Sequence, residues 1–301
     1  MEKMTVEEFN KALHAGLGRC VQFLDGCEDR EPYREAVLGA CLNDYAYDGQ
    51  CEGTRAWYTY KLLSCFNDDE YFYSRIQHAL RETLSWDSDC CWFEHFFDLV
   101  LEFAKDGYAP AKELIGEVYS QLLDCLYDKT PEPYTVDYEL QWLEHICIEC
   151  VHAGGTDAQT KIVGDLNELC RRNAEYSIDD FDEIMSFYAR ESDVKINRTN
   201  KRGERKKKCD IDKIMRDIKR YDNTDRDGEW HSVALDIVNN EDTVFPIEAY
   251  MYVYTGLCAC CRNRAVRAMQ KHGLLTDELL QECMYDCYDE TRELAKSIIN
   301  N

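Results

Sequence analysis

The sequence predicts an all-α chain of antiparallel helix pairs stacked as a solenoid. Three observations carry this. Apolar residues recur at helical spacing along most of the 301 residues. Five prolines and fifteen glycines are few for a sandwich or barrel, which needs a turn every several residues. A four-residue segment also returns after fifty positions, close to the period of a helical-pair repeat.

The elements follow in chain order. Phe9, Leu13, Leu17, Cys20 and Leu24 share one face of an expected first helix. Pro32, after the acidic Glu28, Asp29 and Glu31, marks the start of a helix through Ala36, Val37, Ala40 and Cys41. A proline there loses no hydrogen bond, because a first-turn N–H has no helical partner. Trp92-Phe93-Glu94-His95 opens a helix that ends at Asp106-Gly107, and Pro110 opens the next, through Gly116. The echo Trp142-Leu143-Glu144-His145 opens the second copy, with a turn expected at Gly154-Gly155 and a matching helix through Gly164. Pro246 starts Ile247–Tyr254, and Thr276 is the expected N-cap of the helix from Glu278 to Tyr285. No segment shows the apolar/polar alternation of a half-buried strand.

Three parts are expected: an N-terminal helical-repeat part over 1–175, a helical connection over 176–221 with a basic insert loop over 195–209, and C-terminal repeats over 222–301. The net charge is −24, but it is uneven. Lys195–Arg220 holds 12 basic and 4 acidic residues, so the remainder of the chain carries −32. A field of that sign repels phosphate backbones and anionic membrane faces and attracts a basic protein surface. No apolar run approaches the roughly 20 residues of a membrane span, and the opening MEKMTVEEF has no signal-peptide core. Seventeen scattered cysteines without an export signal suit a reducing cytoplasm and free thiols rather than a disulfide frame.

At the inter-helix turns an acid precedes an arginine. Asp286 stands six residues before Arg292, with Ala295 three further on, and Asp48 precedes Arg55-Ala56 more loosely. The acid can accept from orphan N–H groups of the second helix, and the arginine can reach an acid of the next repeat. This Asp-x5-Arg-x2-Ala pattern resembles the HEAT repeat, which implies that the repeats over 222–301 are HEAT-like. The blocks Tyr45–Arg55, Phe96–Leu99 with Phe103–Gly107, and Cys258–Arg262 further resemble an uncharacterised bacterial family of HEAT-repeat proteins. The resemblance is thinnest between about Tyr176 and Tyr221. It implies a helical solenoid acting as a scaffold and implies no reaction.

Candidate chemistry is sparse. Cys147-x-x-Cys150, flanked by His145 and His152, and Cys258-x-x-Cys261 have the spacing of zinc or redox pairs. Close helix packing through small thiols explains them as well, so the sequence leads us to expect no bound metal or cofactor. Glu94-His95 and Glu144-His145 point about 100° apart on a helix, so neither forms an acid/base dyad. There is no phosphate-binding glycine fingerprint, no nucleophile elbow and no zinc-protease motif. Arg202, Arg205, Lys206, Lys207 and Lys208 form the one basic run, read as a solvated loop or a binding patch. Tyr250, Tyr252, Tyr254, Tyr285 and Tyr288 are expected mainly in helix packing. The functional expectation is a cytoplasmic, non-catalytic, protein-binding scaffold with a basic partner. The alternatives are an acidic mimic of nucleic acid that inhibits a basic target, and a HEAT-like nucleic-acid repair enzyme.

Overall fold

The structure is a computed structural model that describes residues 4–84, 91–127, 138–173, 176, 210–226, 228–240 and 242–300. Among these the chain forms fifteen α-helices and no strand. Among the described residues no helix is long and apolar enough to cross a membrane. The chain divides into two compact units, one made from 1–81 with 206–301 and the other from 82–205.

The first unit begins with α1 (Val6–Ala15). Thr5 and Glu8 form a capping box, with the Glu8 N–H donating to Thr5 and the Thr5 N–H donating to Glu8 at 2.8 Å. The expected single helix through Leu24 is instead two. Gly16 takes φ +73°, ends α1, and α2 runs separately over Arg19–Asp25. The break lets another segment approach. A Cβ on Gly18 would lie 2.0 Å from the Glu282 carbonyl oxygen, and one on Gly16 would lie 2.3 Å from Cys287 Sγ. The Cys287 N–H donates to Gly16 O at 3.0 Å, which ties the two ends of the chain together.

A 3-10 turn carrying Pro32 leads into α3 (Arg34–Leu42). There follow the single turn α4 (Gly49–Glu52), α5 (Ala56–Ser64) and α6 (Asp69–Thr83). Phe9, Phe23 and Tyr33 interlock with ring centroids 4.9–6.2 Å apart, α2 and α3 pack on α5, and α1 packs on α2 and α3. The C-terminal helices of this unit follow α10 (Ile211–Ile218) and α11 (Trp230–Val238). They are α12 (Ile247–Tyr254), α13 (Ala259–Lys271), α14 (Asp277–Cys283) and α15 (Asp289–Ile299). Pro246 and Thr276 stand at the N-caps of α12 and α14. Consecutive helices pack on one another here, α12 on α13 and α14 on α15.

The second unit contains α7 (Cys91–Lys105), α8 (Ala109–Tyr127) and α9 (Tyr138–Arg172). Gly107, at φ +93°, makes the expected turn before α8. The turn expected at Gly154-Gly155 is absent, because α9 runs unbroken through both residues. Two glycines weaken a helix by only about 1 kcal/mol each, and the apolar residues on either side still bind the helix to α8. The echo is therefore one of helix faces rather than of helical pairs. Its two copies meet: Phe93 stacks on Trp142 at 4.7 Å, and His145 Nε2 lies 2.7 Å from Asp98 Oδ1. Gly116 and Gly164 are not packing requirements, since a Cβ on either would meet open space among the described residues.

Candidate functional site

The features with chemical content lie in the first unit, around the turn that leads into α13. Two buried arginines hold that turn from within. Arg55 Nη1 donates to His14 O at 2.8 Å, and its Nη2 donates to Leu257 O at 3.1 Å and to Glu52 Oε2 at 3.0 Å. Arg262 Nη1 donates to Gly256 O at 3.0 Å, and its Nη2 reaches Cys287 Sγ at 3.3 Å. Arg262 Nε lies 2.7 Å from Asp286 Oδ2, with both side chains fully buried. The contact is not aligned as a hydrogen bond, so it is chiefly ionic. That buried carboxylate holds the Arg262 guanidinium charged against the opposing effect of burial.

The turn residues expected from the sequence are present, with other partners. Arg55 pairs with Glu52, while Asp48 is exposed at the start of the α4 turn. Asp286 accepts from the Tyr288 N–H at 2.9 Å and pairs with Arg262 rather than with Arg292. Arg292 instead donates to the Asp286 and Cys287 carbonyls at 2.8 and 2.9 Å and lies 4.0 Å from the Trp57 ring. The reason is length: Arg292, on the first turn of α15, folds back onto its own loop, and Arg262 approaches from the core. Sequence reasoning missed the Arg262 pairing with Asp286 and the Glu52 bond to Ala259 because both are long-range.

Glu52 also accepts the Ala259 N–H at 2.8 Å, so a carboxylate from α4 caps the positive end of α13. Cys258 is the N-cap of α13, and its sulfur accepts from the Cys261 N–H at 3.4 Å. His231, on the first turn of α11, places Nε2 3.4 Å from Cys261 Sγ. The ligand atoms of His231, Cys258 and Cys261 all lie within 4.8 Å of one another. Among the described residues this is the one group that gathers three such donors. The Cys261 thiol is lowered, chiefly by its hydrogen bond with Cys258. Cys258 is pushed up to about 12: its bond with Cys260 lowers it, but the bond with Cys261 and burial outweigh that. Burial lowers His231, opposed by Asp48 and Glu52. Tyr47 packs against His231 edge-on at 5.0 Å.

Tyr47 also lines a cleft of about 520 Å³ with Lys11, His14, Tyr45, Thr224 and Arg226. His14 stacks on Tyr45 at 3.9 Å, and burial and Arg55 lower its pKa. In the second unit Cys147 is buried and Cys150 half-buried, one turn apart on α9. Arg202, Arg205, Lys206, Lys207 and Lys208 lie outside the described residues. The tyrosines divide: Tyr250, Tyr252 and Tyr254 are buried, while Tyr285 is 40% exposed. The described cysteines are free thiols. No known protein family, curated protein or solved structure matches this chain.

Proposed function

We propose that this chain is a non-catalytic, HEAT-like helical-repeat scaffold of the cytoplasm that binds a protein partner through its acidic surface. The observation that carries the reading is the way the fold uses its arginines. Asp25 on α2, Glu28, Asp29 and Glu31 on the link that follows it, and Glu35 on α3 are exposed, as are Asp69 and Glu70 at the start of α6. The cations among them are turned to structural work. Arg30 donates to the Leu24, Asp25 and Cys65 carbonyls. Arg34 bonds Glu31 and Asp68 while lying 4.8 Å from the Tyr71 ring. Arg34 thus offsets Glu31 and Asp68, and Arg30 is taken up by carbonyls, while Asp25, Glu28, Asp29, Glu35, Asp69 and Glu70 keep an acidic surface toward solvent. Such a rim speeds capture of a cationic surface and rejects nucleic acid.

The test is binding of a lysine- and arginine-rich peptide to the purified chain across a salt series. Affinity should fall steeply as salt rises, because exposed charges are screened beyond about 8 Å at physiological ionic strength. The triple change Glu28→Lys, Asp29→Lys and Glu31→Lys should weaken it at least about tenfold, or 1.4 kcal/mol. Binding of DNA or RNA at physiological salt, lost on neutralising Arg205–Lys208, would overturn the proposal in favour of the basic stretch.

A further inference from the structure

We propose that His231, Cys258 and Cys261 form a zinc site with three protein ligands, built where α11 meets the N-terminus of α13. This goes beyond the scaffold reading and does not depend on it. It also reverses the expectation of no metal drawn from the sequence, where both CxxC pairs read as thiols that let helices pack closely.

The geometry is that of a metal edge. A tetrahedral zinc lies about 2.3 Å from thiolate sulfur and about 2.0–2.1 Å from imidazole nitrogen, which sets an S···N separation of about 3.6 Å. The observed separation is 3.4 Å between Cys261 Sγ and His231 Nε2. All three donor atoms already fall within 4.8 Å of one another, so closure on an ion asks for rotamer adjustment rather than backbone movement. The donor set, two sulfurs and one nitrogen, suits a borderline-soft divalent ion over calcium or magnesium, which take oxygen.

The surroundings are fixed in the way a metal site requires. Cys258 follows Gly256 and Leu257, whose carbonyls are gripped by the buried Arg262 and Arg55. The next residue, Ala259, is anchored through its N–H to Glu52. The thiol pair is thus held from both sides by groups that are themselves buried. The sulfurs sit at the N-terminal end of a 13-residue helix, whose dipole favours negative charge there once a metal displaces the thiol protons. Two thiolates balance the charge of one divalent ion, so the filled site would be neutral in a mostly buried position. On binding, two Zn–S bonds and one Zn–N bond form and the thiol protons leave to solvent. Three protein ligands leave the fourth tetrahedral position to water. A redox cysteine pair would need only the two sulfurs; the imaging of His231 Nε2 onto Cys261 is what a metal adds.

The experiment is zinc content by elemental analysis, with affinity measured against a chromophoric chelator, on the full chain kept reduced. About one zinc per chain is expected. His231→Gln and Cys261→Ala should each weaken binding at least about tenfold, the smallest loss ordinarily seen even for groups that merely support a ligand. Cys147→Ser should leave zinc content unchanged. Because Cys261 is buried, circular dichroism would check that its variant folds, and the half-buried His231 supplies a milder variant. Cobalt added to the unmodified chain should give a thiolate-to-metal charge-transfer band that His231→Gln alters. Less than about a tenth of a zinc per chain after zinc addition would overturn the proposal. So would zinc retained equally by both variants, or a cobalt spectrum without thiolate bands.

Discussion

Replacing Arg262 by Met tests how the first unit is held together. The guanidinium is fully buried and does two jobs: it faces the Asp286 carboxylate at 2.7 Å and donates to the Gly256 carbonyl at 3.0 Å. Removing it leaves the Asp286 carboxylate buried with the Tyr288 N–H donating to it but no cation facing it, and takes a donor from Gly256 O. Breaking a buried ion pair from one side costs about 3–5 kcal/mol, and an orphaned buried acceptor costs about 1–3 kcal/mol. The two overlap, so a loss of about 4 kcal/mol is expected. For a unit of roughly 150–250 residues that lowers the melting temperature by about 8–16 °C, at 2–4 °C per kcal/mol. Urea unfolding followed by circular dichroism would measure it. The double variant Arg262→Met with Asp286→Asn removes the stranded charge as well, so it should be milder than the sum of the single changes by about 2 kcal/mol. Additive losses, or a single-variant loss below about 1 kcal/mol, would refute the assignment of this pair as a buried structural contact.

Other outcomes follow from particular contacts. Gly18→Ala should destabilise by about 3 kcal/mol, because its Cβ would meet the Glu282 carbonyl at 2.0 Å, whereas Gly116→Ala should stabilise by about 0.5–1 kcal/mol in urea unfolding. The His14 ring, facing Tyr45, Lys11, Glu7, Arg55 and Arg226 across the cleft, should titrate by NMR below its ordinary 6.5. Since the folded state binds that proton less readily than the unfolded one, the contribution of His14 to stability is complete above pH 6.5 and is lost as pH falls through the folded value. His14→Gln should therefore flatten the decline in stability between neutral and mildly acid pH. In native thiol labelling the exposed Cys51 and Cys125 should react, while Cys20, buried and pushed up to about 12 by that burial, should react only on unfolding.

The sequence by itself determined the helices, because a helix is set by neighbours within four positions. Phe9 and Leu13 on one face, Pro246 and Thr276 at helix starts, and Gly107 at a turn are all signals of that range. Where tertiary contacts weigh more than local preference, the sequence reading ran out. Gly16 breaks a continuous apolar face because Cys287 and Glu282 come up against that turn, while Gly154-Gly155, which reads as a turn, is carried through in helix by the packing of α9 on α8. Asp286 answers to Arg262 rather than to Arg292, and Glu52 spans to Ala259 across most of the chain. His231 joins Cys258 and Cys261 for the same reason. No local period links a histidine to cysteines 27 and 30 positions away, and only the closure of α11 on α13 brings an imidazole to 3.4 Å from a thiol. Burial and long-range pairing depend on which surfaces meet, and that is decided by the packed core rather than by any short stretch of chain.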